Sequence, residues 1–173
     1  MEPVTYHGQT MSIAHLAPFD FACPCPEIGR NLIIRAAFLN HCYTTAFDPM
    51  KHERGDIVLY DAPGRARVFD AVRHTLSHGL PQIVAGLPGQ RVYQTTATRN
   101  YVYAVPMEIA GEVYEVFFQV QRDRKDGRDL RLTVESAYPM VHPVPLPKRP
   151  NSIRFNVLVY KVFTGQPVRF AAR

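Results

Sequence analysis

The chain has 173 residues, 46% of them hydrophobic and 20% charged, which excludes a disordered chain and is typical of one globular domain. Its formal net charge of +5 permits a polyanionic partner without requiring one. No apolar run approaches the roughly 18 residues needed to cross a bilayer, and the N-terminus lacks the pattern of a secretory signal. We therefore expect a cytoplasmic protein with no membrane partner.

The three cysteines, Cys23, Cys25 and Cys42, do not form a disulfide framework, because three thiols cannot all pair. The Cys-x-Cys spacing also differs from that of a zinc half-site, and the sequence offers no second half-site. Glycine-rich nucleotide-binding motifs and the GxSxG nucleophile motif are missing as well. The sequence therefore predicts neither a cofactor nor a metal.

The first part of the chain predicts strands that follow an irregular segment. Residues 1–29 have no clear hydrophobic period and predict an irregular N-terminal arm. The apolar run Asn31–Phe38 fits a strand or a helix, and the preceding glycine together with the missing capping box favours a strand. Asn40–Asp48 is expected to continue that strand or turn away from it. Gly55–Asp61 predicts a short strand that a turn closes.

Two helices are expected next. Asp70 is a good N-cap for a helix that Gly79 ends. Leu80-Pro81 opens a second helix that runs to about Leu87, since proline is tolerated in a first turn.

The C-terminal half predicts an antiparallel meander. Alternating apolar residues mark three strands, Asn100–Ile109, Val113–Arg122 and Leu130–Met140. A proline-rich connection, residues 142–150, then leads to a final strand at residues 153–163. We expect one domain over residues 1–173, with its core in residues 31–140. This order of elements predicts an α+β fold: a mainly antiparallel, twisted sheet of about four to six strands with one or two helices on one face.

Several side chains fit the needs of a metal-independent ribonuclease, namely a base, an acid and a cation for the phosphate. His41 and His74 are candidates for the two proton-transfer roles, and Arg73 is the candidate cation. Glu135, Ser136 and Tyr138 lie at the end of the third meander strand and are expected to face the His41 loop. His74 and His78 share a helix face at a spacing that suits a metal, but no HExxH glutamate lies between them.

Three stretches carry a resemblance to a known family. They are residues 40–44 (NHCYT), residues 69–81 with Phe-Asp, Arg-His and Leu-Pro, and residues 128–139 (RDLRLTVESAYP). Together they resemble a family of bacterial plasmid and prophage proteins labelled as stationary-phase growth adaptation proteins. This resemblance covers about residues 35–139 and implies no activity.

A looser similarity is to the barnase–EndoU–colicin–RelE-like ribonuclease superfamily, in which helices precede a four-stranded antiparallel sheet. Some of its members close a strand with Thr-Ala-Tyr-Pro, and residues 136–139 read Ser-Ala-Tyr-Pro. The similarity implies an RNA site lined by Ser136 and Tyr138, with His41 or His74 as acid or base. The motif is only four residues long, serine replaces threonine, and the N-terminal strands are additional.

Two hypotheses follow, and the sequence leaves open whether the protein is an enzyme. The first is a toxin-like, metal-independent endoribonuclease, with RNA as substrate and an antitoxin or immunity protein as partner. In it His41 and His74 exchange protons, and Arg73 neutralises the phosphate. The alternative is a non-catalytic module of plasmid or prophage origin that binds nucleic acid or protein. It would use the basic hairpin at residues 122–131 and a stacking surface at Tyr101 and Tyr103.

Overall fold

The structure, a computed structural model, describes residues 2–94, 100–106, 112–123, 127–141 and 152–168. In chain order these residues form β1 (Val4–Tyr6), β2 (Gln9–Met11), β3 (Phe19–Cys25), β4 (Arg30–His41), β5 (Thr44–Ala46), β6 (Ile57–Tyr60), β7 (Ala66–Phe69), α1 (Ala71–Ser77), α2 (Leu80–Ala85), β8 (Arg91–Gln94), β9 (Asn100–Pro106), β10 (Glu112–Arg122), β11 (Leu130–Val141), β12 (Ser152–Arg154) and α3 (Phe155–Thr164). None of the helices in these ranges is long and apolar enough to cross a membrane.

A seven-stranded sheet, in the order β12-β8-β9-β10-β11-β4-β3, forms the body of the described structure. Its pairings are antiparallel except for that of β4 with β11, which is parallel. Two smaller antiparallel sheets, β5-β7-β6 and β1-β2, accompany it. The predicted α+β class with a mainly antiparallel sheet is confirmed, although the main sheet has more strands than the sequence predicts.

The meander and both predicted helices are present. β9, β10 and β11 pair in sequence, and the alternating residues Leu130, Leu132 and Val134 are fully buried. The Asp70 side chain accepts a hydrogen bond from the Arg73 N–H at the start of α1, as expected for an N-cap. The strands predicted at Asn31–Phe38 and Gly55–Asp61 correspond to β4 and β6.

The final strand predicted at residues 153–163 is wrong for most of its length. Only Ser152–Arg154 is a strand, and Phe155–Thr164 is the helix α3. The run is rich in β-branched residues, but its buried side chains, Phe155, Leu158 and Val159, follow the helical spacing of three and four. A short apolar run does not distinguish the two structures by itself. The predicted proline-rich connection at residues 142–150 lies outside the described residues.

The prediction of an irregular N-terminal arm is also wrong. Residues 4–11 form a hairpin, and β3 is an edge strand of the main sheet, paired with β4. In β3 the buried residues Phe21, Cys23 and Cys25 alternate with exposed ones, which is the pattern of a strand. Pro24 obscures that pattern, yet an edge strand tolerates proline because one side of it needs no ladder hydrogen bond.

Truncating an aromatic side chain in the core between α3 and the main sheet should cause a large loss of stability. Phe155 is fully buried, and its ring centroid lies 6.4 Å from that of Phe21 and 6.1 Å from that of Phe118. Phe155→Ala should lower the free energy of unfolding by about 3–5 kcal/mol in urea denaturation. Met50→Ala, at a side chain that is 90% exposed, is the control and should change it by less than about 0.5 kcal/mol. Equal stability of the two variants would contradict this packing.

Candidate active site

The parallel pairing of β4 with β11 brings the ends of two distant strands to one edge of the main sheet. The register runs from Leu130 opposite Ile34 to Ser136 opposite His41, the last residue of β4. Since parallel strands end at the same edge, polar residues late in β11 come to lie beside His41. The prediction that this part of β11 faces the His41 turn therefore agrees with the pairing.

A β-bulge reorients β11 at this edge. In the ladder with β10, Phe118 pairs with Val134 and Phe117 pairs with Ser136, so Glu135 is the inserted residue. Bulges of this kind often redirect a side chain next to an active site. Glu135 lines a cleft of about 500 Å³ that His41, Asp61 and Arg65 also line. Its Oε1 accepts a 2.6 Å hydrogen bond from Gln119 Nε2.

His41 and Asp61 form a hydrogen-bonded pair in this cleft, with 3.2 Å between His41 Nε2 and Asp61 Oδ2. Asp61 is buried and also accepts hydrogen bonds from the backbone N–H of Arg65 at 2.8 Å and from its Nε at 2.9 Å. An ionised carboxylate only accepts hydrogen bonds, so Nε2 of His41 carries the proton of this bond. In neutral imidazole, Nδ1 then keeps its lone pair and is available as a base.

The charges around the pair favour this protonation state. Burial raises the pKa of Asp61, but the hydrogen bonds from Arg65 and His41 outweigh it and hold that pKa below its ordinary value. Burial and the nearby Arg67 lower the pKa of His41, and Asp61 offsets part of this effect. At neutral pH the pair is therefore a neutral imidazole oriented by a carboxylate, an arrangement that suits general-base catalysis.

Two arginines fix the chain turn that follows His41. Arg73 Nη1 donates to the carbonyl oxygens of His41 and Thr44, each at 3.1 Å. The buried Arg67 donates to the same Thr44 carbonyl at 2.9 Å. The Arg73 guanidinium also lies 4.9 Å from the ring centroid of Tyr138. Arg73 thus joins the His41 turn to the end of β11.

Of the five residues predicted for the site, His41 lines the cleft, and Arg73, Ser136 and Tyr138 lie next to the His41 turn without lining it. His41, Arg73, Ser136 and Tyr138 belong to the contacts just described. His74 instead bonds the Ser12 carbonyl and packs against other histidines. Its neighbour Arg73 is thus the residue of α1 that contacts the His41 turn, through the His41 and Thr44 carbonyls.

The prediction did not include two side chains of the cleft, Asp61 and Arg65, and it placed Glu135 opposite the His41 loop without giving it a catalytic role. A signal for Asp61 was present, since an aspartate that precedes a Pro-Gly turn often accepts a backbone N–H two to four residues later. No local signal marks the bulge that redirects Glu135 into the cleft, because that bulge depends on pairing with two other strands.

The alternative binding surface is less consistent with the structure. Tyr101 is 4% exposed, so it does not offer a face for stacking; the side chain of Tyr103 lies outside the described set. In the basic hairpin, Arg122 donates to the Phe163 carbonyl, and Arg128 forms a 2.8 Å ion pair with Asp20. Asp20 thus offsets the charge of Arg128, whereas the exposed Arg122 keeps its positive charge beside a neutral carbonyl.

Fold and site together define a small α+β protein with a histidine–aspartate pair in a polar cleft. Residues 3–163 match the family described as the YjaZ family, so the chain belongs to that family. Protein YjaZ of Escherichia coli (strain K12) is 24% identical over 127 residues, which cover 73% of this chain and 68% of that protein. Comparison with the solved structures gave no significant match. The family name specifies no activity, and these comparisons support neither the stationary-phase label nor the ribonuclease resemblance.

The groups around His41 lead to a prediction of its pKa. Its pKa should lie below the ordinary 6.5, and Asp61→Asn should lower it further, because the carboxylate favours the protonated ring. Because folding lowers this pKa, the contribution of His41 to stability is present above about pH 6.5 and is lost as the pH falls. Ring-proton NMR across pH, with the signal assigned through His41→Gln, measures the pKa. Glu53→Gln, at an exposed carboxylate, is the control; a pKa above 6.5 would contradict the assignment.

Proposed function

We propose that this protein cleaves RNA without a metal, by transesterification in the cleft at the edge of the main sheet. The observation that carries the proposal is the 3.2 Å hydrogen bond from His41 Nε2 to Asp61 Oδ2, in a cleft that Arg65 and Glu135 also line. A base, an acid and a cation are what this reaction requires of a protein. RNA fits such a site because its 2′-hydroxyl is an internal nucleophile.

His41 is the proposed base. Its Nδ1 takes the proton of the 2′-hydroxyl while the 2′-oxygen attacks phosphorus. Asp61 then stabilises the imidazolium that forms, as the carboxylate of a catalytic triad does. The lowered pKa of His41 keeps the ring in its basic form at neutral pH.

Glu135 is the proposed acid. The P–O5′ bond breaks as the carboxyl group donates a proton to the departing 5′-oxygen, which leaves a 2′,3′-cyclic phosphate and a 5′-hydroxyl. The position of Glu135 in the bulge and its hydrogen bond from Gln119 hold the carboxyl at the cleft.

Arg65 takes the cationic role in this proposal, and Arg73 takes a positioning one. The Arg65 side chain is 65% exposed, so its guanidinium is accessible to a phosphate while Nε remains paired with Asp61. Arg73 is instead engaged by two backbone carbonyls and by the ring of Tyr138. Ser136, opposite His41, is the side chain proposed to bind the scissile group.

Cleavage of RNA in EDTA tests the proposal. Wild-type protein should give 2′,3′-cyclic phosphate ends, and His41→Ala should lower the rate by about 10²–10⁴-fold, the usual contribution of a general base. Glu135→Gln should have a comparable effect, and the acidic limb of the wild-type pH profile should fall below about pH 6.5. His52→Ala, at a histidine bonded to the Asp48 N–H, is the matched control and should keep full activity.

The outcomes separate this function from contamination and from simple binding. A matched DNA strand should stay intact, because it lacks the 2′-hydroxyl. Equal cleavage by wild type and His41→Ala would assign the activity to a contaminant or to other residues. The proposal is wrong if the folded wild-type protein does not cleave RNA but slows the migration of RNA in a gel in a salt-dependent way. The protein would then be a binding module.

A further inference from the structure

Three histidines meet on the side of α1 that faces the N-terminal arm. His15 lies in the short helical turn Ala14–Leu16, His74 in α1, and His78 directly after it. One ring nitrogen from each lies within 4.8 Å of those of the other two. The rings of His15 and His78 stack at a centroid distance of 3.8 Å, and His74 meets both edge-on.

The hydrogen bonds of His15 fix which of its nitrogens carries the proton. The Ser77 hydroxyl, fully buried, donates its one proton to the His74 carbonyl at 2.7 Å. The 2.7 Å bond between Ser77 Oγ and His15 Nε2 must therefore take its proton from His15. In the neutral ring, Nδ1 of His15 then bears a lone pair.

His74 is fixed in the same way. Its Nε2 lies 2.9 Å from the Ser12 carbonyl oxygen, which only accepts, so Nε2 donates and Nδ1 is left with a lone pair. A histidine that ligates a metal almost always donates its other N–H to a carbonyl, carboxylate or hydroxyl oxygen in this manner. Two of the three rings thus have the outer hydrogen bonds that a metal site needs.

We propose that His15, His74 and His78 form a binding site for zinc or a similar first-row divalent metal. Three neutral imidazoles suit zinc, and a fourth position would remain open to water. Tetrahedral zinc with Zn–N bonds of about 2.1 Å needs ligand nitrogens about 3.4 Å apart. The ligand nitrogens lie up to 4.8 Å apart, so they must approach one another by up to about 1.4 Å. The exposed His78 ring must also turn out of its stack on His15 to point its lone pair at the same metal.

The electrostatics of the cluster agree with a ligand role. Burial, together with the neighbouring His78 and His74, lowers the pKa of His15 to about 4, so this ring is neutral near pH 7. A neutral imidazole is the form that ligates a metal.

The site joins the N-terminal arm to α1 and is separate from the cleft. Its ligands come from residues 15, 74 and 78, whereas the cleft is lined by residues of β4, β11 and the turn after β6. The inference therefore does not depend on RNA cleavage, and metal binding can be measured directly.

Calorimetry with zinc chloride tests the site on full-length protein that carries no polyhistidine tag and has been stripped with EDTA. We expect saturable binding of one equivalent, and a rise in Tm of roughly 5 °C at a hundredfold excess over Kd. His78→Ala, at the exposed ligand, should weaken binding at least about tenfold without unfolding the protein, and His74→Ala should do the same. His52→Ala is the control and should bind as wild type does.

A second variant tests the hydrogen bond that fixes His15. Ser77→Ala keeps all three ligands but removes the partner of Nε2, and it should weaken zinc binding about 10–100-fold. Cobalt(II) in place of zinc should give the visible spectrum of a tetrahedral centre. The proposal is overturned if wild type binds no zinc, or if His78→Ala and His74→Ala bind as tightly as His52→Ala.

Discussion

The parallel pairing of β4 with β11 is the contact on which the rest of the structure depends. It joins segments 96 residues apart, so the pairing must offset the entropy of closing a long loop. Asp129 secures its start: its carboxylate accepts from the Ile33 N–H at 2.8 Å and from Arg30 through two bonds, and its own N–H bonds the Ile33 carbonyl. Such two-pronged ion pairs are geometrically specific. From this start, Ser136 follows Asp129 by seven residues and lies opposite His41, which follows Ile33 by eight.

Charge inside the protein is the second constraint, and it links the stability of the cleft to its chemistry. Arg67 is buried, and burial lowers its pKa, so its guanidinium needs hydrogen-bond partners. Thr44 supplies two of them, and Arg73 shares the Thr44 carbonyl. The positive charge of Arg67 also lowers the pKa of His41. The residues that hold the turn after β4 therefore also keep the imidazole neutral.

The sequence predicts those elements whose signals are local. Alternation predicts β9–β11, Asp70 predicts the start of α1, and the class of the fold follows from their order. In β3, Pro24 conceals the alternation of buried and exposed residues. In α3, the β-branched residues conceal the helical period, and the helix becomes recognisable only from the packing of its Phe155 against Phe21 and Phe118. The cleft was predicted in part, because His41 and the polar cluster at the end of β11, which includes Glu135, stand out by residue type. Asp61 belongs to a turn that has a local signal, the aspartate before Pro-Gly. The bulge that redirects Glu135 depends on pairing between three strands, which no local pattern reveals.

Helix α1 connects the two sites. It has only seven residues, and a helix of that length is not stable in isolation, so contacts on its sides must hold it in place. Successive residues point about 100° apart on a helix, so Arg73 and His74 contact different parts of the protein. Arg73 donates to the His41 carbonyl, and His74 bonds the N-terminal arm. Local unfolding of α1 would release both contacts together. The histidine cluster and the His41 turn therefore both depend on this short helix to stay in place, although the two sites have no residue in common.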